Sequence, residues 1–313
     1  MKEGPLALDG ATPLAPAADP AAARLRLKGI GLMVTALACF ACLDTIAKGL
    51  NTVMDPIQVV WARYTAALVL VLIMFNPLRN PQVLVTRRPW IQAIRSALLF
   101  GSTAFNFIAL QYLQLDQTVS IMFATPFIVA VLAGPFLGEW IGPRRWAAVV
   151  VGFIGVIVVT QPWSGRMHWS MLLSLSGAFF YAVYSLQTRV LANYDSAGTT
   201  SIYSVAFGAL VASCLVPFVW VTPSSLWVVV GMATMGALGA IGHWLLIRAH
   251  GLAPAGVLSP FIYSQIVWMV TFGALFFGQV PAPNTLAGAA IVIASGLYLL
   301  YRERVVKGEG PAA

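Results

Sequence analysis

Few residues of this chain could do chemistry, and most of them sit in apolar surroundings. Asp44 is the one carboxylate well inside an apolar run, where an unpaired charge costs about 2.5 to 3.5 kcal/mol on insertion scales. It needs a partner. Lys48, at i+4 on the same helical face, is one candidate. Arg63 in the next apolar run, roughly 10 Å below the surface at about 1.5 Å per residue, is the other. Asp44, Lys48 and Arg63 therefore read either as a structural ion pair or triad, or as a site for proton coupling or a substrate charge. His243 beside Trp244 is either hydrogen-bonded to a neighbouring backbone group or hydroxyl, or faces a cavity as a ligand contact or proton relay.

Around these charges lie Ser102, Thr103 and Asn106, Tyr181 and Tyr184, and Tyr263, Ser264 and Gln265, all near mid-depth of apolar runs. A zwitterionic solute needs hydrogen-bond partners at both ends and, if aromatic, flat apolar walls, which Phe105, Trp244 and Trp268 could supply. Packing between helices explains any single Ser, Thr or Tyr equally well. Pro126 and Pro260 each remove a backbone donor within an apolar run, reading either as hinges beside a cavity or as tolerated kinks. Cys39 and Cys42 form a CxxC but lack a second pair or a histidine at zinc spacing, so they read as packing residues and no metal is expected. No zincin, nucleophile-elbow or Walker motif occurs and no paired catalytic carboxylates are seen, so no enzyme and no cofactor are expected.

The elements that must position these residues follow from composition. Only 9% of residues are charged against 59% hydrophobic, with a mean hydropathy of +0.85, whereas a soluble domain carries about 25% charge. That excludes a water-soluble globular protein, and the long unbroken runs exclude an outer-membrane barrel. Runs of helical length occupy residues 28–50, 56–76, 90–113, 116–138, 144–163, 168–190, 197–221, 225–250, 254–277 and 284–302, predicting ten transmembrane helices. Residues 1–23, rich in Ala and Pro, read as a disordered cytoplasmic tail, and 303–313 as a short polar one.

The basic residues then fall on two sides. Lys2, Arg24, Arg26, Lys28, Arg79, Arg87, Arg88, Arg95, Arg144, Arg145, Arg189, Arg248, Arg302, Arg304 and Lys307 share one side; the other keeps Lys48 and Arg166. By the positive-inside rule both termini lie in the cytoplasm of a multi-pass inner or plasma membrane protein. The same rule accounts for the basic balance without nucleic acid. The expected partners are a small-molecule solute and lipid, with a monomer sufficient for function.

A shift of 140 residues aligns the two halves. Gly138-Glu139, Pro143 and Ala147 fall on Gly278-Gln279, Pro283 and Ala287, and Phe40, Thr45 and Ala109 fall on Phe180, Ser185 and Ala249. The units, 24–165 and 166–302, each hold five helices. An odd number makes the second copy enter from the opposite side, an inverted repeat that points to alternating access around a site near the bilayer midplane.

The stretch from Ala249 to Tyr263, AHGLAPAGVLSPFIY, followed by Trp268 and Gly278, resembles the second-half signature of EamA-type members of the drug/metabolite transporter superfamily. Its first-half counterpart runs from Ala109 to Glu139 with Pro126 and Gly138-Glu139. The resemblance covers residues 28–302 and implies two five-helix units enclosing a central cavity, usually for export of amino acids or related metabolites. Within that family the chain is most similar to YddG-type exporters of aromatic amino acids. It departs from the family at Gln279, where Glu is frequent, so Glu139 reads as an interface residue near Arg144 and Arg145. The expectation is an exporter of amino acids, aromatic ones among them, with export of another metabolite or a cationic drug at Asp44 as the alternative.

Overall fold

The computed structural model describes residues 20–164 and 167–306, and among them every regular element is helical. The helices are α1 Pro20–Leu50, α2 Pro56–Phe75, α3 Pro89–Tyr112, α4 Leu115–Met122, α5 Thr125–Leu137 and α6 Pro143–Thr160. Then come α7 Ser170–Leu191, α8 Ala197–Leu215, α9 Leu226–Leu252, α10 Ala255–Leu258, α11 Gln265–Phe277 and α12 Pro283–Val306. α1 begins at Pro20 and α12 runs to Val306. Most of the two expected tails, with Lys2 and Lys307, and also Arg166, lie outside the described residues.

The sequence dictates the helix ends locally. Pro56, Pro89, Pro143 and Pro283 open helices at a position whose N–H has no intrahelical partner. The Asp55 carboxylate accepts from the amide of Ile57 at 2.8 Å, and the Ser196 hydroxyl accepts from that of Thr199 at 3.1 Å. Gly138 and Gly278 stop α5 and α11 in the left-handed region, with φ of 73° and 63°. Around each, the glycine amide donates four residues back and the following amide six back, to Gly134 and Ala133 and to Ala274 and Gly273. The two caps coincide at the 140-residue shift.

Packing repeats the same symmetry. Under the shift α1 corresponds to α7, α2 to α8, α3 to α9 and α6 to α12. α1 packs on α9 as α7 packs on α3, and α2 on α9 as α8 on α3. The pairs α6–α12 and α2–α8 each join a helix to its own counterpart. Small residues permit the closest of these approaches: a Cβ on Gly288 would lie 2.6 Å from the Gly155 carbonyl oxygen.

Nine of the described helices, counting α4–α5 and the segment Ser259–Phe277 as one each, are long and apolar enough to cross a membrane. The tenth expected span, α7, is equally long, but its serines, tyrosines and the closing Gln187-Thr188-Arg189 dilute its apolar character. Two helices break in mid-course. α4 ends at Met122 and α5 restarts at Thr125, with Pro126 in its first turn; the other break is a 3-10 helix over Ser259–Ser264 holding Pro260 near its start. Each proline thus opens a new segment and leaves no interior amide unpaired. They are not repeat counterparts, since the shift carries Pro126 to Ile266 and Pro260 to Ser120.

Three charges stand elsewhere than the sequence suggested. Lys48 turns away from Asp44 and donates from Nζ to the Leu110 and Leu113 carbonyls, at 2.9 and 2.6 Å, because the end of α3 offers carbonyls with no helical donor. Arg95, counted among the surface cations, is 3% exposed between α3, α7 and α8. Its guanidinium donates to Thr188, Ser204 and Tyr184 side chains at 2.6, 2.7 and 2.9 Å, and to the Thr200 carbonyl at 3.3 Å. Glu139 forms a two-pronged ion pair of 2.6 and 3.0 Å with Arg189, joining the first unit to the second.

Candidate functional site

The repeats enclose a cavity of about 630 Å³. Its inner wall comes from α1, α2, α3 and α4, which contribute Asp44, Arg63, Ser102, Asn106 and Thr118. The second unit contributes Tyr181, His243 and Gln265. The cavity extends to the end of the bundle that carries the basic clusters, and Glu139, Arg145, Arg189 and His250 line this end, its mouth. This volume lies within the range of about 300–1,000 Å³ usual for small-molecule sites.

The expected site residues divide into two groups. Asp44, Arg63, Ser102, Asn106, Tyr181, His243, Gln265 and Pro126 all line the cavity. Lys48, Phe105, Tyr184, Trp244, Tyr263, Trp268 and Pro260 do not. Phe105 packs on Phe180 with ring centroids 5.2 Å apart, and Trp268 on Phe272 at 6.0 Å. Tyr184 is held by Arg95, whose guanidinium also lies 4.4 Å over its ring. Trp244 is 45% exposed on the outer face of α9, stacked under Arg248. Tyr263 is buried edge-on against Phe123 at 5.0 Å and fills the space over Gly296. Rotation about the helix axis separates the two groups, turning Trp244 outward and Phe105, Tyr184, Tyr263 and Trp268 into packing.

Within the cavity some polar groups are spent and others are free. Ser102 donates to the Gly177 carbonyl at 2.9 Å, a tie between the units. Arg63 donates from Nη1 to the Thr103 hydroxyl at 2.9 Å, and its guanidinium lies about 5.4 Å over the Phe107 ring, which holds it against the wall. Its other donors remain open. Asp44 has Arg63 as its charged neighbour, yet no hydrogen bond or ion pair reaches its carboxylate among the described residues. The Asn106 side-chain oxygen is buried without a donor. His243 meets Phe40 edge-on at 5.0 Å and engages no hydrogen bond there.

Asp44 and its repeat counterpart Tyr184 differ instructively. The Tyr184 hydroxyl accepts from Arg95, whereas Asp44 is left facing open space. A carboxylate in an apolar bundle without a protein partner needs water, a ligand or a proton to be stable. The sequence reading missed Phe40 and Thr118 as walls, and the Glu139–Arg189 pair across the mouth. Phe40 had a signal, its match to Phe180 under the repeat; Thr118 had none. Cys39, Cys42 and Cys214 are free thiols, and no group of three His, Cys, Asp or Glu among the described residues is placed to hold a metal ion.

Known proteins match this arrangement along nearly its whole length. The chain is 27% identical over 276 residues to a riboflavin transporter of Vibrio cholerae serotype O1, covering 87% of this chain and 93% of that one. It is 28% identical over 279 residues to an S-adenosylmethionine uptake transporter of Rickettsia conorii, covering 89% and 94%. One solved crystal structure superposes with a TM-score of 0.62 at 17% identity, over 91% of this chain and 99% of that chain, which shows a shared fold. The model of the EamA-like transporter family matches residues 27–161 and again 168–302, reproducing the two units found in sequence and packing. This chain belongs to the EamA-like transporter family and is a membrane transporter.

Proposed function

We propose that the chain carries a small organic solute bearing both a cationic and an anionic group, bound between Asp44 and Arg63. The observation that carries this reading is the pair itself: an open carboxylate and a partly open guanidinium on the wall of one cavity, unjoined to each other. The solute's ammonium or sulfonium would face Asp44 and its carboxylate Arg63, with Asn106, Tyr181 and Gln265 completing the hydrogen bonds. Amino acids meet this requirement, aromatic ones with Phe40 and His243 as flat walls, and their export remains the leading assignment. The names of the relatives favour a second reading, a larger metabolite, since S-adenosylmethionine carries the same head group and riboflavin a flat ring system. A purely cationic solute held at Asp44 alone is the third.

The proposed topology has ten spans, with the cavity mouth and both termini in the cytoplasm of the inner or plasma membrane. Arg87, Arg88, Arg144, Arg145 and Arg248 at the mouth end support the orientation. Exposed tryptophans at both ends, Trp90, Trp140 and Trp146 against Trp163, Trp169 and Trp227, support two interfacial belts, with α7 running from Trp169 at one to Arg189 at the other. The carrier is proposed to work as a monomer, because the cavity is built within one chain. The test is counterflow in liposomes loaded in turn with labelled aromatic amino acids, S-adenosylmethionine and riboflavin, with and without a pH gradient. Movement of zwitterions lost on Asp44→Asn supports the reading; movement of riboflavin alone overturns it.

A further inference from the structure

The end of the bundle opposite the cavity mouth is closed by contacts that the repeat does not reproduce. Lys48 near the C-terminus of α1 and Asn51 just after that helix face the last turns of α3. Asn51 donates from Nδ2 to the Phe107 carbonyl at 2.8 Å, and Lys48 to the Leu110 and Leu113 carbonyls. These acceptors follow one another at three-residue steps, so the two side chains grip one face of α3 along its final turns. Under the 140-residue shift Lys48 becomes Thr188 and Asn51 becomes Leu191. The Thr188 hydroxyl donates within its own helix, to the Tyr184 carbonyl, and Leu191 has nothing to donate. Correspondingly, α1 packs on α3 whereas their counterparts α7 and α9 make no comparable contact, and the cavity opens at that end.

One further group stands at the closed end with its hydrogen bonding incomplete. Asp116, at the start of α4, is 3% exposed, and its Oδ2 has no hydrogen-bond partner. Lys48 is its charged neighbour, but the two form no ion pair among the described residues. An ammonium that left the α3 carbonyls would otherwise be stranded in an apolar bundle, so parting α1 from α3 requires a second acceptor. Asp116 is a carboxylate already within its field.

We propose that Lys48 and Asn51 latch the outer end of the carrier shut, and that Asp116 receives the Lys48 ammonium when that end opens. Lys48 is thus a positioning residue of a gate and does not touch solute. The inference rests on the alternating-access reading given above. The latch favours the inward-open form, against the Glu139–Arg189 pair that bridges the units at the mouth.

The test uses the full chain with Cys39, Cys42 and Cys214 replaced by alanine and a probe cysteine at Thr118, on the cavity floor just inside the latch. A membrane-impermeant maleimide is applied to whole cells and to inverted vesicles. Lys48→Met should speed labelling from the outer face by about fivefold or more and slow it from the cytoplasmic face, as expected for a shifted two-state population. Lys48→Arg should restore the parent pattern. Asp116→Asn, which keeps the latch but removes the negative charge of the second acceptor, should slow outer labelling below the parent. Unchanged face preference in Lys48→Met overturns the proposal; if that variant fails to insert, unchanged outer labelling in Asp116→Asn does so instead. Counterflow by the parent separates the two readings: a parent that moves no zwitterion, with Lys48→Met still labelled faster from outside, removes the solute assignment and leaves the latch standing.

Discussion

Asp44 lines the cavity with no hydrogen bond or ion pair among the described residues, so a protein-stability role and a ligand role predict opposite results. Asp44→Asn should lower solute affinity about 10- to 100-fold, the equivalent of losing a charged hydrogen bond of about 1.5–3 kcal/mol, while leaving the melting temperature in detergent unchanged or raised. A fall in melting temperature with affinity intact would make Asp44 structural. A second residue, Asp195, acts outside the membrane-spanning segments. Burial would raise its pKa, but the Arg87 amide, the Thr86 hydroxyl and the Gln92 side-chain amide all donate to its carboxylate and hold it below its ordinary 3.8. The charged form is therefore favoured in the folded state. Its stabilisation is full above the ordinary value and fades as pH falls through the lowered one. Thermal unfolding followed between pH 6 and pH 3 should lose less stability in Asp195→Asn than in the parent; parallel curves would remove this account.

At the scale of elements, the contact between α6 and α12 depends on the absence of side chains. Gly288→Ala would place a Cβ 2.6 Å from both the Gly155 carbonyl oxygen and a Val159 methyl, and neither helix backbone can yield cheaply. A loss of about 1–3 kcal/mol is expected on unfolding in detergent. Gly31→Ala is the control, since nothing lies within 4 Å of its Cβ, and its effect should stay within about 0.5 kcal/mol. Equal effects at both positions would show that the α6–α12 seam is not tight. The element scale is also where the periodicity of the sequence spoke most clearly. Helix ends at Pro56, Pro89, Pro143 and Pro283 and the left-handed caps at Gly138 and Gly278 follow from local chemistry. The breaks at Met122–Thr125 and Ser259–Ser264 were signalled by prolines, though their differing forms in the two units were not.

Across the whole molecule, topology turns on α7, whose polar residues keep it out of the apolar class of the other nine spans. If α7 crosses, loops before α3 and before α9 lie on opposite faces; if it does not, they share one. Cysteines placed at Leu78, 95% exposed, and at Trp227, 82% exposed, in a cysteine-free background decide this with an impermeant thiol reagent. Leu78→Cys should react only from the cytoplasmic side and Trp227→Cys only from outside. Reaction of both from one side would leave α7 as a non-crossing helix and reverse the orientation of everything after it.

Composition and repeat were sufficient to establish class and plan: a chain with 9% charge cannot hide 59% hydrophobic residues from water, and the 140-residue shift in motifs reappears in caps and packing. Spacing along each helix also follows from sequence, because rise per residue is constant. What the tertiary structure alone decided was direction. Lys48 and Arg63 both lay within reach of Asp44 by depth, yet Lys48 took the exposed carbonyls of α3 and Arg63 took Thr103. Arg95 resembled a surface cation until α7 and α8 supplied it with neutral acceptors. Which partner satisfies a buried charge depends on the rotation of several helices about their axes at once. That rotation is set by packing between segments distant in sequence, and no single stretch of residues encodes it.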